Sequence, residues 1–460
     1  MNKLILTLII SLFCFELMGQ ISQQTLQWQN KTRRFIVYLP INYSPQEKLP
    51  LVINMHALTG TGAGQFNYTQ YHKLADTARC IVAYPYGIGG RWNIGPFFGV
   101  SSEIDDVGFI GRLIDYMSIV YGIDARKVYA TGYSAGGFMS HKLACELTNR
   151  ITAIAPVAAS MHPDTYAHCD PDRPVPTLIF NSVSDPITRY YGFEGVQPVE
   201  DVVALWSELN DCDVVPIEEE MPNIVQNDGS RANKITYQNC DESELVFFKF
   251  FNAGHTWPGA QPTFILGNTN QDVNATNESW AFFKRFTIPD DIACGQPSGL
   301  ESLVSNNQLI LSWEAISGIE HYSVFVIYPN GEKQFIDSIN GNSITLDAGE
   351  EEGNLAWWVR AKCESGHIDW SPLQLDDISL RMAHQDNIHL FPNPTVDRLT
   401  IQVDEHLLNK KYKIMNSYGV DIMFGQLNAT SIDIDITSLD PGIYFFKAIG
   451  YSSQKMFLKH

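Results

Sequence analysis

The stretch Lys127–Gly137, KVYATGYSAGG, constrains this chain more than any other. Val128, Tyr129 and Ala130 have the apolar, partly β-branched character of a short buried strand. Gly132-Tyr133-Ser134-Ala135-Gly136 then forms a G-x-S-x-G pattern, and Phe138–Leu147 reads as a helix. A serine on so sharp a strand-to-helix turn sits in a strained backbone conformation, and side chains two residues to either side would clash. Glycine at 132 and 136 removes that clash. The helix behind would aim free N–H groups and the positive end of its dipole at the serine oxygen. Such a serine is either a nucleophile or part of a glycine-rich turn, and the rest of the chain has to decide.

A serine hydroxyl attacks poorly at neutral pH without a histidine to take its proton and a carboxylate to hold that histidine in one tautomer. On this kind of turn the acid and then the histidine follow the serine in the chain, each after a strand end. The downstream histidines of the same domain are His141, His162, His168 and His255. His141 lies in the helix of the turn itself, and His162 and His168 sit in a polar loop ahead of the favoured acid. His255 follows the apolar run Leu245–Phe251 by the short turn Asn252-Ala253-Gly254, where a loop-borne general base belongs. The alternative is a structural surface histidine. Asp185, in Asn181-Ser182-Val183-Ser184-Asp185-Pro186, follows the run Val175–Phe180 and is the candidate acid; the alternative is a turn former. Asp170 and Asp172 precede that run, and Asp201 falls in a helix. A tetrahedral intermediate also needs backbone donors. One would be the N–H of Ala135, and the other that of Ala57 or Leu58, in the loop after His56. His56 itself reads as a residue that shapes this loop.

Strand-like runs at Arg33–Pro40, Leu49–His56, Cys80–Pro85, Ile151–Ala158, Val175–Phe180 and Leu245–Phe251 alternate with helical stretches. The helices expected are Tyr71–Arg79, a segment opened by Asp105-Asp106 and ending at Tyr121, Phe138–Leu147, Pro198–Leu209 and Asn277–Phe286. Ala57–Gly64 and Tyr86–Ser101 read as loops, and the two aspartates as helix caps. This order predicts an α/β fold over residues 20–290, a mostly parallel sheet with helices on both faces. Beyond it the runs shorten and alternate, as in Leu309–Trp313, Tyr322–Val326 and Trp357–Ala361, with Trp313 and Trp370 as core residues. Two small all-β, sandwich-like domains are expected, at 293–382 and 386–460.

A chain of 460 residues has room for two or three domains, and its net charge of −20 argues against nucleic acid and anionic membrane surfaces as partners. Residues 1–19 read as a secretory signal, with Lys3 before the apolar run Leu4–Phe15, too short to cross a membrane. No other stretch could cross as a helix, so the mature chain is expected to have no transmembrane segment. Seven cysteines follow the signal, and an exported chain permits disulfides. Cys212–Cys240 would close a polar, loop-rich insertion, Cys294–Cys363 would lie in the next domain, and Cys145–Cys169 is a further pairing. An odd count leaves one thiol free unless a bridge forms between chains. No C-x-x-C or His/Cys cluster points to zinc, and the chemistry outlined above needs no metal or cofactor.

Taken together, LPLVINMHALTG, IVAYPYGIGGRWN, DDVGFI, KVYATGYSAGG, the Asp185-Pro186 turn and GHTWPG (Gly254–Gly259) resemble the secreted polyhydroxybutyrate depolymerase and feruloyl esterase group of the α/β-hydrolases. The resemblance implies Ser134 as nucleophile, Asp185 as acid and His255 as base, the residues already selected by order and spacing. It implies a serine carboxylic-ester hydrolase acting through an acyl-enzyme on a polymer or plant cell-wall ester. Trp257 and Trp92 are the candidate substrate contacts, with loop packing as the alternative for Trp257. Where the group usually has His-Gly, this chain has His56-Ala57, and Asn181-Ser182 replaces a second His-Gly before the acid. The region after residue 293 resembles a fibronectin type III domain. The last one, with FPNP and GIYFFK, resembles the C-terminal sorting domain of the type IX secretion system. That implies the outer-membrane secretion machinery as a partner and an extracellular or cell-surface location. Two other classes remain: a serine peptidase on the same fold, and a non-catalytic extracellular binding or adhesion protein.

Overall fold

The computed structural model describes residues 19–96, 103–262, 266–289, 296–305, 308–347, 353–363, 366–367, 370–371, 374–377, 388–417, 420–449 and 454–460. The expected signal segment lies outside them except for Gly19. The chain divides into two compact units, Met1–Ile114 with Ile123–Pro289 and Asp115–Gly122 with Asp290–His460.

In the first unit, β1 (Gln20–Trp28) and β2 (Lys31–Leu39) form an antiparallel hairpin. β3 (Leu51–Met55), α1 (Gly62–Thr69), α2 (Tyr71–Ala78), β4 (Ile81–Pro85) and α3 (Asp106–Tyr121), whose residues from Asp115 on are counted with the second unit, follow. Next come β5 (Val128–Tyr133), α4 (Ala135–Glu146), β6 (Ala153–Val157), α5 (Pro163–Ala167), β7 (Thr177–Ser182) and α6 (Val199–Leu209). β8 (Ile217–Glu220), β9 (Arg231–Tyr237), β10 (Leu245–Phe251) and α7 (Ala275–Phe283) complete it. Every residue of β3, β4, β5, β6 and β7 is buried, the mark of strands covered on both faces. The strands pair in the order β1-β2-β4-β3-β5-β6-β7-β10-β9-β8. From β4 to β10 all neighbours are parallel, and the antiparallel pairs lie at the two margins.

This order positions the site. From β3 the chain winds outward to β4, then returns to place β5 on the other side of β3. The direction of winding therefore reverses between β3 and β5, and the carboxyl ends of strands at such a reversal open a crevice that loops cannot fill. The loop after β3 begins at His56, and the turn after β5 carries Ser134.

Some segments differ from expectation. Helix α1 begins inside the segment read as the loop Ala57–Gly64, with the Thr61 hydroxyl accepting from the Gly64 N–H at 3.0 Å as its cap. The polar insertion closed by Cys212–Cys240 contains the strand pair β8 and β9, which extends the sheet. The pair Asp105-Asp106 splits in role. Asp105 caps α3, its Oδ1 accepting from the Gly108 N–H at 2.7 Å. Asp106 instead meets Arg33 of β2 in a buried ion pair at 2.5 Å.

Cys145–Cys169 and Cys212–Cys240 are disulfides, and Cys80 is a buried free thiol. Cys363 is disulfide-bonded, and its expected partner Cys294 lies outside the described residues.

Among the described residues, the paired strands of the second unit are antiparallel. Glu301–Ser305, Gln308–Ser312 and Ser343–Asp347 form a three-stranded sheet beside a larger one built on Ile319–Ile327 and Asn354–Cys363. Trp313, Tyr322, Val324 and Trp357 share their core, and Trp370 is buried as well. A separate core, containing Ile401, Ile414, Phe446 and Phe457, joins a three-stranded and a four-stranded sheet over Ile388–Lys459. No helix among the described residues is long and apolar enough to cross a membrane, which says nothing of β-barrels.

Candidate active site

Ser134 sits between β5 and α4 with φ 54° and ψ −118°, a backbone conformation that side-chain-bearing residues rarely adopt. A Cβ on Gly132 would lie 2.4 Å from the carbonyl carbon of Gly136, and one on Gly136 would lie 2.1 Å from the carbonyl oxygen of Met55. The glycines of the motif thus let the turn close on itself and let it press against the end of β3. This contact brings the segment after Met55, with Ala57 and Leu58, beside the turn. Ala135 is the first residue of α4, where backbone N–H groups have no partner within the helix.

His255 and Asp185 meet. The His255 Nδ1–H donates to Asp185 Oδ2 at 2.7 Å, with both side chains buried. A carboxylate only accepts, so a hydrogen resides on Nδ1, and in the neutral ring the lone pair is then on Nε2. Asp185 Oδ1 accepts from the N–H groups of Ile187 and Thr188 at 2.7 and 2.9 Å. It is therefore a turn former and at the same time the hydrogen-bond partner of His255. β7 and β10 are parallel neighbours, which brings the turns after them together. The Ser182 hydroxyl ties them, donating to the Ala253 carbonyl at 2.6 Å. A strap behind the histidine finishes the support, with His255 N–H donating to Leu266 O and Gly254 N–H to Asn268 O, both at 2.7 Å.

Two tyrosines connect the serine turn to the histidine segment, and neither had been singled out from the sequence. Tyr133, the variable residue before Ser134, donates its phenol hydrogen to the His255 carbonyl, with the two rings 5.1 Å apart. The Tyr68 hydroxyl at the end of α1 accepts from the Trp257 N–H at 2.9 Å, and its ring lies 5.3 Å from that of Tyr133. For Tyr133 the only signal was its place inside the motif. For Tyr68 there was none.

His56 serves the loop after β3. It donates from Nδ1 to its neighbour's carbonyl on Ala57 at 2.7 Å and accepts at Nε2 from the Gly87 N–H at 2.9 Å. Burial pushes its pKa down, which keeps the ring neutral in this role. Ala57 is half-buried, and Leu58 is 41% exposed. Trp92, expected as a substrate contact, is corrected: it is 0% exposed, and its indole N–H donates to the His56 carbonyl at 2.8 Å. It offers a ligand no face. Trp257 is 1% exposed, with its indole N–H on Thr276 Oγ1 at 3.1 Å, as loop packing would have it. It also borders a 360 Å³ cavity lined by Tyr68, Gln70, Gln261 and Asn274.

His162 and His141 make structural contacts. His162 accepts at Nδ1 from the Asp164 N–H at 3.1 Å, capping α5. His141, inside α4, accepts at Nδ1 from the Trp206 indole N–H at 3.0 Å, and burial pushes its pKa down to about 3. Its folded pKa therefore lies below the unfolded value of about 6.5, so its contribution to stability is present above that pH and is lost as pH falls toward 3. Urea midpoints measured at stepwise lower pH should show a loss of roughly 1 kcal/mol per unit below about 6.5. His141→Gln, which keeps an acceptor for Trp206, should flatten that slope. An unchanged slope would mean that another group sets the acid limit.

Comparisons with known proteins now bear on this geometry. Over 272 residues, 56% of this chain and 46% of the relative, the sequence is 28% identical to feruloyl esterase B of Piromyces equi. Over 282 residues, 60% of this chain and 37% of the relative, it is 29% identical to a bifunctional acetylxylan esterase/xylanase of Neocallimastix patriciarum. The chain is homologous to feruloyl and acetylxylan esterases. It spans less than half the length of these two relatives. Its large sheet is mostly parallel, and small antiparallel sheets follow it. Among solved structures, an acetyl xylan esterase from Aspergillus awamori aligns with a TM-score of 0.39 at 19% identity, covering 51% of this chain and 94% of that one. Residues 389–458 match the family described as the secretion system C-terminal sorting domain. That domain marks this chain for type IX secretion, to the extracellular space or the cell surface.

Proposed function

We propose that this protein is a secreted serine carboxylic-ester hydrolase acting on plant cell-wall esters, with Ser134, His255 and Asp185 as its catalytic triad. The observation that carries the reading is the buried His255–Asp185 pair at 2.7 Å, joined through Tyr133 to the strained turn that presents Ser134. Nε2 of His255 takes the proton of Ser134 as its oxygen adds to the ester carbonyl. The oxyanion that forms is received by the N–H of Ala135 and that of Ala57 or Leu58. Collapse of the intermediate expels the alcohol, which takes the proton from His255, and leaves an acyl-enzyme. Water activated by His255 then adds to the acyl carbon, releasing the acid and restoring Ser134. Asp185 holds the imidazole in the required tautomer and offsets the charge it gains.

The names of the relatives favour feruloyl or acetyl groups on a polysaccharide as the ester cleaved. The domain plan that supports delivery to such a polymer is a signal at 1–19, the hydrolase at 20–290, a fibronectin-like sandwich at 293–382 and the sorting domain at 386–460. The two separate hydrophobic cores of the second unit favour dividing it in this way. The secretion machinery is the partner implied by the last domain. The deciding experiment offers the purified protein feruloylated arabinoxylan, acetylated xylan, polyhydroxybutyrate and a peptide amide, and measures the ferulate, acetate, hydroxybutyrate and amine released. Ferulate or acetate release far above the other two is the expected result. Amide cleavage at a comparable rate would make the protein a peptidase. Binding to the polymer without any release would make it an adhesion protein.

A further inference from the structure

Two tyrosine hydroxyls bond to the main chain of the base-bearing segment. The Trp257 N–H can only donate, so the Tyr68 oxygen accepts from it at 2.9 Å. The His255 carbonyl can only accept, so the Tyr133 phenol gives it its hydrogen. The two bonds meet residues only two apart in the chain, so the hydroxyls staple the segment that carries the histidine. The rings pack as well, with centroids 5.3 Å apart for Tyr68–Tyr133 and 5.1 Å for Tyr133–His255. Burial raises the pKa of both phenols, so neither loses its hydrogen in the neutral range.

We propose that Tyr133 and Tyr68 are positioning residues of the hydrolase, fixing the main chain of His255 so that its imidazole stays aligned with Asp185 and Ser134. Side-chain contacts alone leave the imidazole free to ride on its backbone. Asp185 restrains Nδ1, the strap restrains the N–H, and the Tyr133 hydroxyl is what restrains the carbonyl. Because Tyr133 directly precedes Ser134, the nucleophile and the base are held to one another by a single residue. A small shift of a catalytic group costs up to about 100-fold in rate, since reaction requires near-contact geometry.

The inference rests on the proposed esterase activity, and the test separates the two. Tyr133→Phe removes one hydroxyl and leaves the triad intact. Its kcat for a short-chain nitrophenyl ester, counted per site labelled by a fluorophosphonate, should fall about 10- to 100-fold, with KM within about twofold of wild type. The downfield proton resonance of the His255 Nδ1–H should shift or broaden. A purely structural role would lower the number of labelled sites but leave kcat per site and that resonance unchanged. Tyr68→Phe, at a partly exposed position, should cost about 10-fold, and it decides the matter if Tyr133→Phe does not fold. Wild-type kcat per labelled site in the variant that folds overturns the positioning role alone. A wild-type protein that neither turns over esters nor takes the label overturns the esterase reading itself.

Discussion

Ser134→Ala is expected to lower ester turnover about 10⁶-fold while leaving the protein folded, because it removes the attacking oxygen and nothing the fold depends on. His255→Ala should cost about as much. The double variant should cost no more than either, since neither residue works without the other. Asp185→Asn should fall by about 10⁴-fold, because an amide that donates to the imidazole selects the wrong tautomer. The serine also makes a second, independent prediction. Its backbone is held at φ 54° and ψ −118°, a conformation that costs a non-glycine residue about 1–3 kcal/mol. Alanine inherits that strain and glycine does not. Ser134→Gly should therefore be as inactive as Ser134→Ala yet more stable to urea by about 1 kcal/mol. Nitrophenyl ester kinetics and denaturation midpoints on the three proteins read out both effects. Wild-type turnover in Ser134→Ala would refute the triad. Equal midpoints for the alanine and glycine variants would refute only the strain.

What the sequence made legible was local. The serine turn is written in five consecutive residues, because the backbone at Gly132 and Gly136 approaches too closely for any side chain. The buried strands stood out as continuous apolar runs, and Leu245–Phe251 was read with its observed limits. Asp185 and His255 were reached through chain order, each following a strand end; that β7 and β10 are parallel neighbours, which sets their turns side by side, is a finding of the structure. Strand β1, QISQQTLQW, escaped notice because most of its residues are polar and at least partly exposed. Main-chain pairing with β2, not apolar alternation, makes it a strand. β8 failed for the same reason, since IEEE is exposed throughout and is recognised only by its pairing with β9. Trp92 was misread because a tryptophan in a glycine-rich loop looks available until the carbonyl that its indole meets is known. Tyr133 has its partner 122 residues downstream, at a carbonyl that no sequence pattern advertises.

Asp106 belongs with these long-range cases, and its removal should produce the largest loss of stability of any substitution considered. Arg33 lies 73 residues before it, and neither side chain is more than 1% exposed. The guanidinium also packs 3.8 Å from the centre of the Phe109 ring. Asp106 Oδ2 accepts from the Asn93 N–H at 2.6 Å, so the pair anchors the segment that contains Trp92 and, through it, the His56 carbonyl. Truncating one member leaves the other charge buried without its counterion, which costs about 3–5 kcal/mol. For a domain of this size that corresponds to a fall in Tm of about 10 °C or more. Asp106→Ala should show this in urea and thermal melts, and Arg33→Ala should match it. Arg33→Met with Asp106→Leu removes both charges and fills the space, and such exchanges are often neutral. Here the recovery should stop short by about 1–3 kcal/mol, because the Asn93 N–H stays buried without an acceptor. A single substitution costing less than about 1 kcal/mol would show that the pair is solvated in solution and that the loop beneath the serine turn is held some other way.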